Sequence, residues 1–238
     1  MYHNIVILTG AGISAESGIK TFRDSDGLWE NHRIEDVASP EGFARNPDLV
    51  LDFYNQRRRQ LIGGEVAPNG AHQALARLEA NLAVTIVTQN VDNLHERAGS
   101  KNVIHMHGEL LKMKCAQTEQ QYSIEGDFLT SDLCDCCQSS GNLRPDIVWF
   151  GEMPYHMERI IDLLERCDLF VAIGTSGQVY PAAGFVRGLP IKTPKLEINT
   201  LDTAISDDFD LHLKGPASEK VAEFVDAILA GKRVWDLA

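Results

Sequence analysis

The stretch Gly10–Trp29, GAGISAESGIKTFRDSDGLW, follows directly on an apolar run, Ile5-Val6-Ile7-Leu8. A strand that runs into glycines and then into an irregular polar segment is where a nucleotide phosphate would sit. Gly10-Ala11-Gly12-Ile13-Ser14-Ala15 reads as G-x-G-x-x-A: the first glycine allows a tight turn, the second a close backbone approach to a pyrophosphate, and the third position keeps a following helix near the strand. The N–H groups and dipole at that helix N-terminus would face the phosphates. Short Gly-Ala-Gly turns without a ligand are common, so the residues that follow carry the decision.

A hydride-transferring dehydrogenase places a second strand ending in Asp or Glu about 20 residues further on, to hold the adenine ribose. Here the interval holds Thr21-Phe22-Arg23-Asp24-Ser25-Asp26-Gly27, which is no strand. One aromatic, one arginine and small polar residues fit a loop folded over the ligand. The nucleotide is therefore expected to be used differently.

Working outward, short apolar runs recur at Ile5–Leu8, Val84–Val87, Val103–His105, Leu169–Ile173, Leu196–Ile198 and Leu211–Leu213. Helix-like segments separate several of them: Ala71–Ala80, Asp92–Ala98, Met157–Arg166 and Glu219–Leu229, the last with Ser218 as expected N-cap and Gly231 as stop. This rhythm predicts an α/β fold, a Rossmann-like doubly wound parallel sheet. Two stretches break it and predict a smaller inserted domain, helical and zinc-ribbon-like. The expected division is 1–21, 70–110 and 144–238 for the nucleotide-binding domain, with 22–69 and 111–143 as the insertions. A cleft between the two parts would suit a ligand.

The chain has 238 residues, 22 basic against 34 acidic, and a net charge of −12. That balance argues against general binding to nucleic acid or an anionic membrane and suits basic, lysine-bearing protein segments as partners. No apolar run is long enough to span a bilayer, and Met1 stands three residues before the first strand, so a cytoplasmic protein without a targeting peptide is expected. The protein is expected to be monomeric.

Five cysteines, with Cys134, Cys136 and Cys137 crowded together, suit a metal site or reduced thiols better than disulfides. Cys134-x-x-Cys137 supplies half of a zinc ribbon, but Cys115 is followed three residues later by Thr118. Cys115, Cys134 and Cys137 are the expected metal ligands, with Cys136 or a water left to complete a tetrahedron. The alternative is a metal-free loop with reduced thiols.

Thr88-Gln89-Asn90-Val91-Asp92 ends a strand where side chains reach the crevice. Asp92 can cap the next helix, but capping does not explain the amides of Gln89 and Asn90, which offer donors and acceptors to ribose hydroxyls and a carboxamide. His107 is expected to end the strand beginning at Val103, with His105 on the same face; both could be merely polar strand-end residues. An imidazole with an ordinary pKa near 6.5 suits proton transfer at neutral pH.

Gly10–Trp29 closely resembles the signature of sirtuins, the NAD-consuming protein lysine deacylases. Gln89-Asn90-Val91-Asp92-Asn93-Leu94-His95, His107-Gly108-Glu109-Leu110 and Gly174-Thr175-Ser176 match the family in order and spacing, over nearly the whole chain. The resemblance implies NAD as co-substrate, held by Gly10, Ala11, Gly12, Ser14, Ala15, Phe22, Arg23, Trp29, Gln89, Asn90, Val91, Asp92, Gly174, Thr175, Ser176, Asn199, Thr200, Leu201 and Ala217. It implies His107 as general base, with Asn90 beside it. It also implies a substrate backbone paired along Val148, Trp149, Phe150 and Gly151, and a structural zinc on four cysteines, of which Thr118 replaces one. The implied reaction returns free lysine, nicotinamide and an O-acyl-ADP-ribose. A mono-ADP-ribosyltransferase and a non-catalytic NAD or ADP-ribose binding module are the rivals.

The last reading concerns the acyl group. A helix is predicted over Pro47–Ile62, started by Asn46 and Pro47 and stopped by Gly63-Gly64. Its apolar stripe runs Val50, Phe53, Tyr54 and Leu61, and Arg57 falls on it while Arg58 and Arg59 face elsewhere. Arg57 could simply snorkel to solvent. An arginine and a phenol on an apolar face could instead hold a carboxylate. Tyr54-x-x-Arg57 resembles the Y-x-x-R motif of class III sirtuins, which implies removal of succinyl and malonyl groups alongside acetyl.

Overall fold

The computed structural model describes residues 2–20 and 28–237. Its elements in chain order are β1 (Ile5–Thr9), β2 (Leu28–Trp29), β3 (His32–Arg33), α1 (Ile34–Val37), α2 (Pro40–Arg45), α3 (Pro47–Ile62), α4 (Gly70–Glu79), β4 (Val84–Thr88), α5 (Leu94–Ala98), β5 (Val103–His105), β6 (Gly108–Cys115), β7 (Gln121–Ser123), β8 (Leu143–Ile147), α6 (Met157–Arg166), β9 (Leu169–Ile173), β10 (Lys195–Asn199), β11 (Leu211–Lys214) and α7 (Ala217–Leu229). The six apolar runs read from the sequence are the six strands of one sheet, in order β11-β10-β9-β1-β4-β5 and parallel throughout.

Every residue of β1, β4 and β9 is buried, as a parallel sheet covered on both faces requires. Strand side chains alternate faces. Ile5 and Ile7 pack with Leu75 and Leu78 of α4 and Val221 and Phe224 of α7, whereas Val6 and Leu8 pack with Ile160 and Leu164 of α6 and with Phe185. From β1 the chain steps outward to β4 and β5, then returns to β9 on the other side of β1. The switch point of the sheet therefore lies between β1 and β9, where α/β sheets open a ligand crevice.

The smaller part combines α1–α3 with an antiparallel sheet in order β7-β6-β8. Helix α3 spans Pro47–Ile62 as expected: Asn46 Oδ1 accepts from Leu49 N–H at 3.2 Å, and Gly63-Gly64 follow, Gly64 with φ of 86°. Its Phe53 and Tyr54 pack with Leu110, Ile147 and Trp149, and its Leu51 with Phe128 and Leu143. The expected boundaries 110/111 and 143/144 fall inside β6 and β8, so the two parts share continuous strands.

Three local expectations are corrected. Among the described residues no α-helix follows the first glycines: Ala11–Ile13 and Ala15–Ser17 are single 3-10 turns, the second ended by Gly18 at φ 86°, and Ser14 Oγ donates to Asp92. The macrodipole argument for phosphate binding at that point falls away. His107 lies beyond β5, in the turn before Gly108 rather than in the strand. Helix α7 begins at Ala217 after Pro216, so Ser218 is inside it; Ser218 N–H and Oγ both donate to Glu16 (2.8 and 2.7 Å).

Candidate active site

The glycines at the switch point fit two loops into each other. Gly12 N–H donates to Gly174 O at 2.8 Å, and a Cβ on Gly12 would stand 2.6 Å from Gly174 Cα. A Cβ on Gly10 would meet Gly174 O at 2.7 Å, and Gly174 itself has φ +61° with Ile13 N 2.4 Å from its missing Cβ. These residues must be glycine because backbone crosses backbone there, a close approach no side chain permits.

Around this crossing the carboxyl ends of β1, β4, β9 and β10 gather polar side chains. Asn90 Nδ2 donates to Gly10 O and to Ser14 Oγ, both at 3.1 Å; Ser14 Oγ donates to Asp92 Oδ2 at 3.0 Å, and Asp92 Oδ1 accepts from Leu94 N–H at 3.1 Å. Asp92 thus caps α5 and also braces the loop. Burial pushes its carboxyl above the usual range, opposed by the Leu94 and Ser14 bonds. Gln89 Nε2 donates to Thr175 Oγ1 at 3.1 Å, and Asn199 Nδ2 to Thr175 O at 2.8 Å, which ties β4, β9 and β10 into one rim. Asn199 Oδ1 accepts from Thr200 N–H at 2.9 Å, while Thr200 and Leu201 stand exposed beyond it. Ala15 is exposed, Ala11 and Ser176 half-buried, and Val91 O accepts from Leu110 N–H at 2.8 Å. Ala217 packs in the core beneath α7. Phe22 and Arg23 lie outside the described residues.

His107 stands between this rim and the smaller part. Its Nδ1 is 3.1 Å from Gln89 O, and a carbonyl only accepts, so Nδ1 carries the proton and Nε2 the lone pair. Burial holds the imidazole below its ordinary pKa, partly offset by that bond, so it is neutral at pH 7. Gly108 is required beside it: φ is +83°, and a Cβ would lie 2.0 Å from Asp146 O. His105 has a separate duty, with Nε2 on Glu96 Oε1 at 2.8 Å and Nδ1 3.3 Å from Asn90 O. Burial lowers its pKa, but Glu96 outweighs that and raises it.

The opposite lip is Val148–Gly151. Val148 N–H donates to His107 O (2.9 Å) and Phe150 N–H to Ala38 O (3.0 Å), and Phe150 and Gly151 are exposed. Behind this lip stands the Tyr54 face of α3. Tyr54 is buried, and Trp149 Nε1–H donates to its hydroxyl at 3.0 Å. Trp29 closes on Phe53 and Tyr54, with ring centroids 4.8 and 6.0 Å away. Arg57 does not snorkel clear: its guanidinium lies 5.1 Å from the Phe53 ring centroid, and its Nε and Nη1 are buried with no hydrogen-bond partner among the described residues. Arg58 also has a buried nitrogen, Nη2, without a partner among the described residues, but its other nitrogens are engaged. Arg58 is fully buried and donates to Leu110 O, Asn55 Oδ1 and Gly126 O, while Arg59 reaches Asp127 and Asp52.

Apart from the lip, the Sγ atoms of Cys115, Cys134, Cys136 and Cys137 all lie within 4.8 Å of one another. Tetrahedral zinc with Zn–S bonds of about 2.3 Å sets its sulfurs roughly 3.8 Å apart. The four thiols fit such a centre. The three-cysteine set is therefore extended by Cys136, the neighbour of Cys137, in place of the missing cysteine at 118; Thr118 Oγ1 lies 3.0 Å from Cys136 Sγ.

Known proteins agree with this geometry. A profile of the Sir2 family matches residues 10–181. The chain belongs to the Sir2 family. Among Sir2 relatives, the NAD-dependent protein deacylase of Vibrio vulnificus (strain YJ016) is 60% identical over 232 residues, 96% of this chain and 95% of the relative. That of Escherichia coli (strain K12) is 54% identical over 237 residues, 98% of this chain and 85% of the relative. A solved Sir2 homolog–NAD complex superposes with TM-score 0.88 at 40% identity, covering 97% of this chain and 91% of the other. A Sir2 protein bound to acetylated peptide gives 0.77 at 31%, covering 98% and 95%.

Two features of this Sir2 site escaped the sequence. Buried Glu197 accepts from Thr203 Oγ1 (2.6 Å), Ser206 Oγ (2.5 Å) and His212 Nδ1 (3.0 Å), anchoring the loop that carries Thr200 and Leu201. The Trp149 indole N–H donates to the Tyr54 hydroxyl, which ties the lip to α3 through a side chain. A buried acid inside an apolar strand was a legible signal for the first; the second depends on a contact across 95 residues of chain.

Proposed function

We propose that this Sir2-family chain removes succinyl and malonyl groups, and also acetyl groups, from protein lysines, giving nicotinamide and the O-acyl-ADP-ribose. In reaction class it is an NAD-dependent protein deacylase, as its relatives are named. The observation that carries the acyl preference is Arg57: two buried guanidinium nitrogens without a partner among the described residues, on the same helix face as a buried phenol. Buried donors left unpaired are costly, and an incoming carboxylate would satisfy them with a charge-assisted pair. Acetyl-lysine would enter the same channel without that pair.

Bound NAD supplies an activated ribose carbon from which nicotinamide departs. The switch-point glycines with Ser14, Thr175 and Ser176 would hold the diphosphate side, Asn199, Thr200, Leu201 and Ala217 the adenosine side, and Gln89, Asn90 and Asp92 the nicotinamide ribose. His107 Nε2 would take the proton of a ribose hydroxyl, its ring fixed by Gln89 O. Backbone along Val148–Gly151 would pair with the substrate, a mode that reads little sequence. Zinc on the four cysteines would be structural, tying the loop around Cys134 to β6. We take the protein to act as a cytoplasmic monomer on acyl-lysine segments of other proteins, with no nucleic-acid or membrane partner, and its acidity suits basic segments.

The test is incubation of the protein with NAD and succinyl-, malonyl- and acetyl-lysine peptides, read by mass spectrometry. All three should lose their acyl group with peptide-dependent nicotinamide release. Turnover of acetyl peptide alone would remove the carboxylate pocket, and ADP-ribose attached to protein would favour a transferase.

A further inference from the structure

Tyr54 is held from behind in a way that fixes the direction of its hydroxyl proton. An indole N–H can only donate, so in the 3.0 Å contact with Trp149 Nε1 the phenol oxygen is the acceptor. The phenol must therefore direct its own O–H elsewhere, and among the described residues no acceptor takes it. Glu152, the carboxylate whose charge reaches this phenol, is already engaged: its Oε1 accepts from Arg144 Nη1 at 2.6 Å, and its Oε2 from Arg144 Nη2 at 2.9 Å and Trp149 N–H at 2.8 Å. Burial raises the Tyr54 pKa far above neutrality, so the proton is always present.

The indole is itself clamped. Arg144 lies over the Trp149 ring with its guanidinium carbon 3.5 Å from the centroid, and Phe43 packs against it at 5.2 Å. Arg144 is held by Glu152 and by Ile147 O at 3.0 Å. Burial raises the Glu152 pKa, but its Arg144 and Trp149 bonds outweigh this and hold the carboxyl below the usual range, so the clamp stays charged.

We infer that the Trp149 indole, clamped by Arg144 and Glu152, is a positioning residue that commits the Tyr54 hydroxyl to donating, so that Tyr54 and Arg57 together present only donors to the carboxylate of a dicarboxylic acyl group. The inference rests on the carboxylate-pocket reading above. It gives the side chain of Trp149 a role separate from its backbone on the substrate lip: it sets acyl selectivity through Tyr54 without touching the acyl group.

The experiment is a double-substitution cycle with Trp149→Phe and Tyr54→Phe, read as kcat and KM on succinyl- and acetyl-lysine peptides. Trp149→Phe keeps an aromatic ring for the Arg144 clamp and removes the N–H together with part of the indole's bulk, a packing loss that should weigh on both peptides alike. The succinyl-to-acetyl ratio of kcat/KM should fall about 10-fold, the scale of one hydrogen bond to a charged group, and mainly through the KM for succinyl peptide. In a Tyr54→Phe background the same change should move the ratio by less than about twofold, because the proton being directed is gone. Glu152→Gln, which loosens the clamp and leaves the indole N–H, should lower the ratio in the same direction by a smaller factor. Equal loss on both peptides, or full additivity with Tyr54→Phe, would overturn the inference while leaving the pocket intact. A wild-type protein that does not turn over succinyl peptide would overturn both.

Discussion

At the carboxyl ends of β1 and β4, Asn90, Ser14 and Asp92 bond one another and the Gly10 backbone within 3.1 Å; on α3, among the described residues, two buried Arg57 nitrogens have no partner and the Tyr54 phenol has no acceptor for its proton. The first region is braced before any ligand arrives, so its geometry is common to every substrate. The second, on the function proposed above, would be complete only with a dicarboxylic acyl group. Shared chemistry and selective chemistry are thus separated by the His107 turn, and substitutions on either side should differ in kind.

The largest effect should come from metal removal. Cys115 and Cys134 pack with Leu51 of α3 and Phe128, so zinc binding there is also folding energy, on the order of 10 kcal/mol. Chelation should loosen α3 and its selective pocket before the parallel sheet melts, seen as a new low-temperature transition alongside the elemental zinc count. A fully folded, zinc-free protein would leave the thiols as mere packing.

Next, His107→Ala should lower kcat/KM about 10²–10⁴-fold on every acyl substrate while calorimetric NAD affinity stays close to normal, since proton transfer and not ground-state binding is lost. In the wild type, the acid limb of the pH profile should fall below 6.5, because burial depresses the His107 pKa. Selective loss on one acyl group would break the division drawn above. Arg57→Met should cost desuccinylation roughly 10²–10³-fold and deacetylation far less, since only the dicarboxylic acyl group leaves a charge unpaired. An equal fall on both peptides would place Arg57 in general packing.

The braced side has an exception, and it should appear as acid sensitivity. His72 and His95 meet edge to face at 4.9 Å beneath the rim, where His95 Nε2 meets Thr9 Oγ1 at 3.1 Å, while His72 Nε2 and His95 Nδ1 have no partner among the described residues. Burial pushes His72 from 6.5 down to about 4, so the unfolded chain takes up the proton first. Stability is then whole above pH 6.5 and declines as pH falls towards 4, by up to about 3 kcal/mol from this residue. Denaturant midpoints should drop between pH 7 and 5, and His72→Leu should flatten that drop; parallel curves would acquit the histidine. Gly12→Ala forces a Cβ onto the Gly174 backbone, so the two loops must part, at about 3 kcal/mol or more, with acetyl and succinyl turnover falling together.

What was legible in the sequence follows the range of the interaction responsible. The six strands and α3 declare themselves through local apolar runs and through Asn46, Pro47 and Gly63, to within a residue except at β5, which stops at His105, two residues short of His107. The turns after Gly12 were misread as a helix because Ser14, a good capping residue locally, is claimed by Asp92 across the sheet. Ser218 was misplaced for the same reason, its partner Glu16 lying at the other end of the chain. Cys136 was visible but ambiguous, since a Cys-x-Cys-Cys run does not say which thiol turns inward. Much of the site residue set came from family resemblance; the direction of the Tyr54 proton could come only from Trp149 standing behind it.

The interlock of Gly12 with Gly174 also bears on how the chain folds. Neither loop has a side chain at the crossing with which to hold its shape alone, and the hydrogen bond that fixes Gly12 comes from a carbonyl in the last third of the sequence. On a ribosome, the glycine turn emerges well before β9, and it stays without its partner until β9 is made. The closure is of the long-range kind that slows folding, and it comes after most of the chain exists to be misassembled. Nucleotide binding should therefore be among the last properties a nascent chain acquires, well after β1 and β4 have paired.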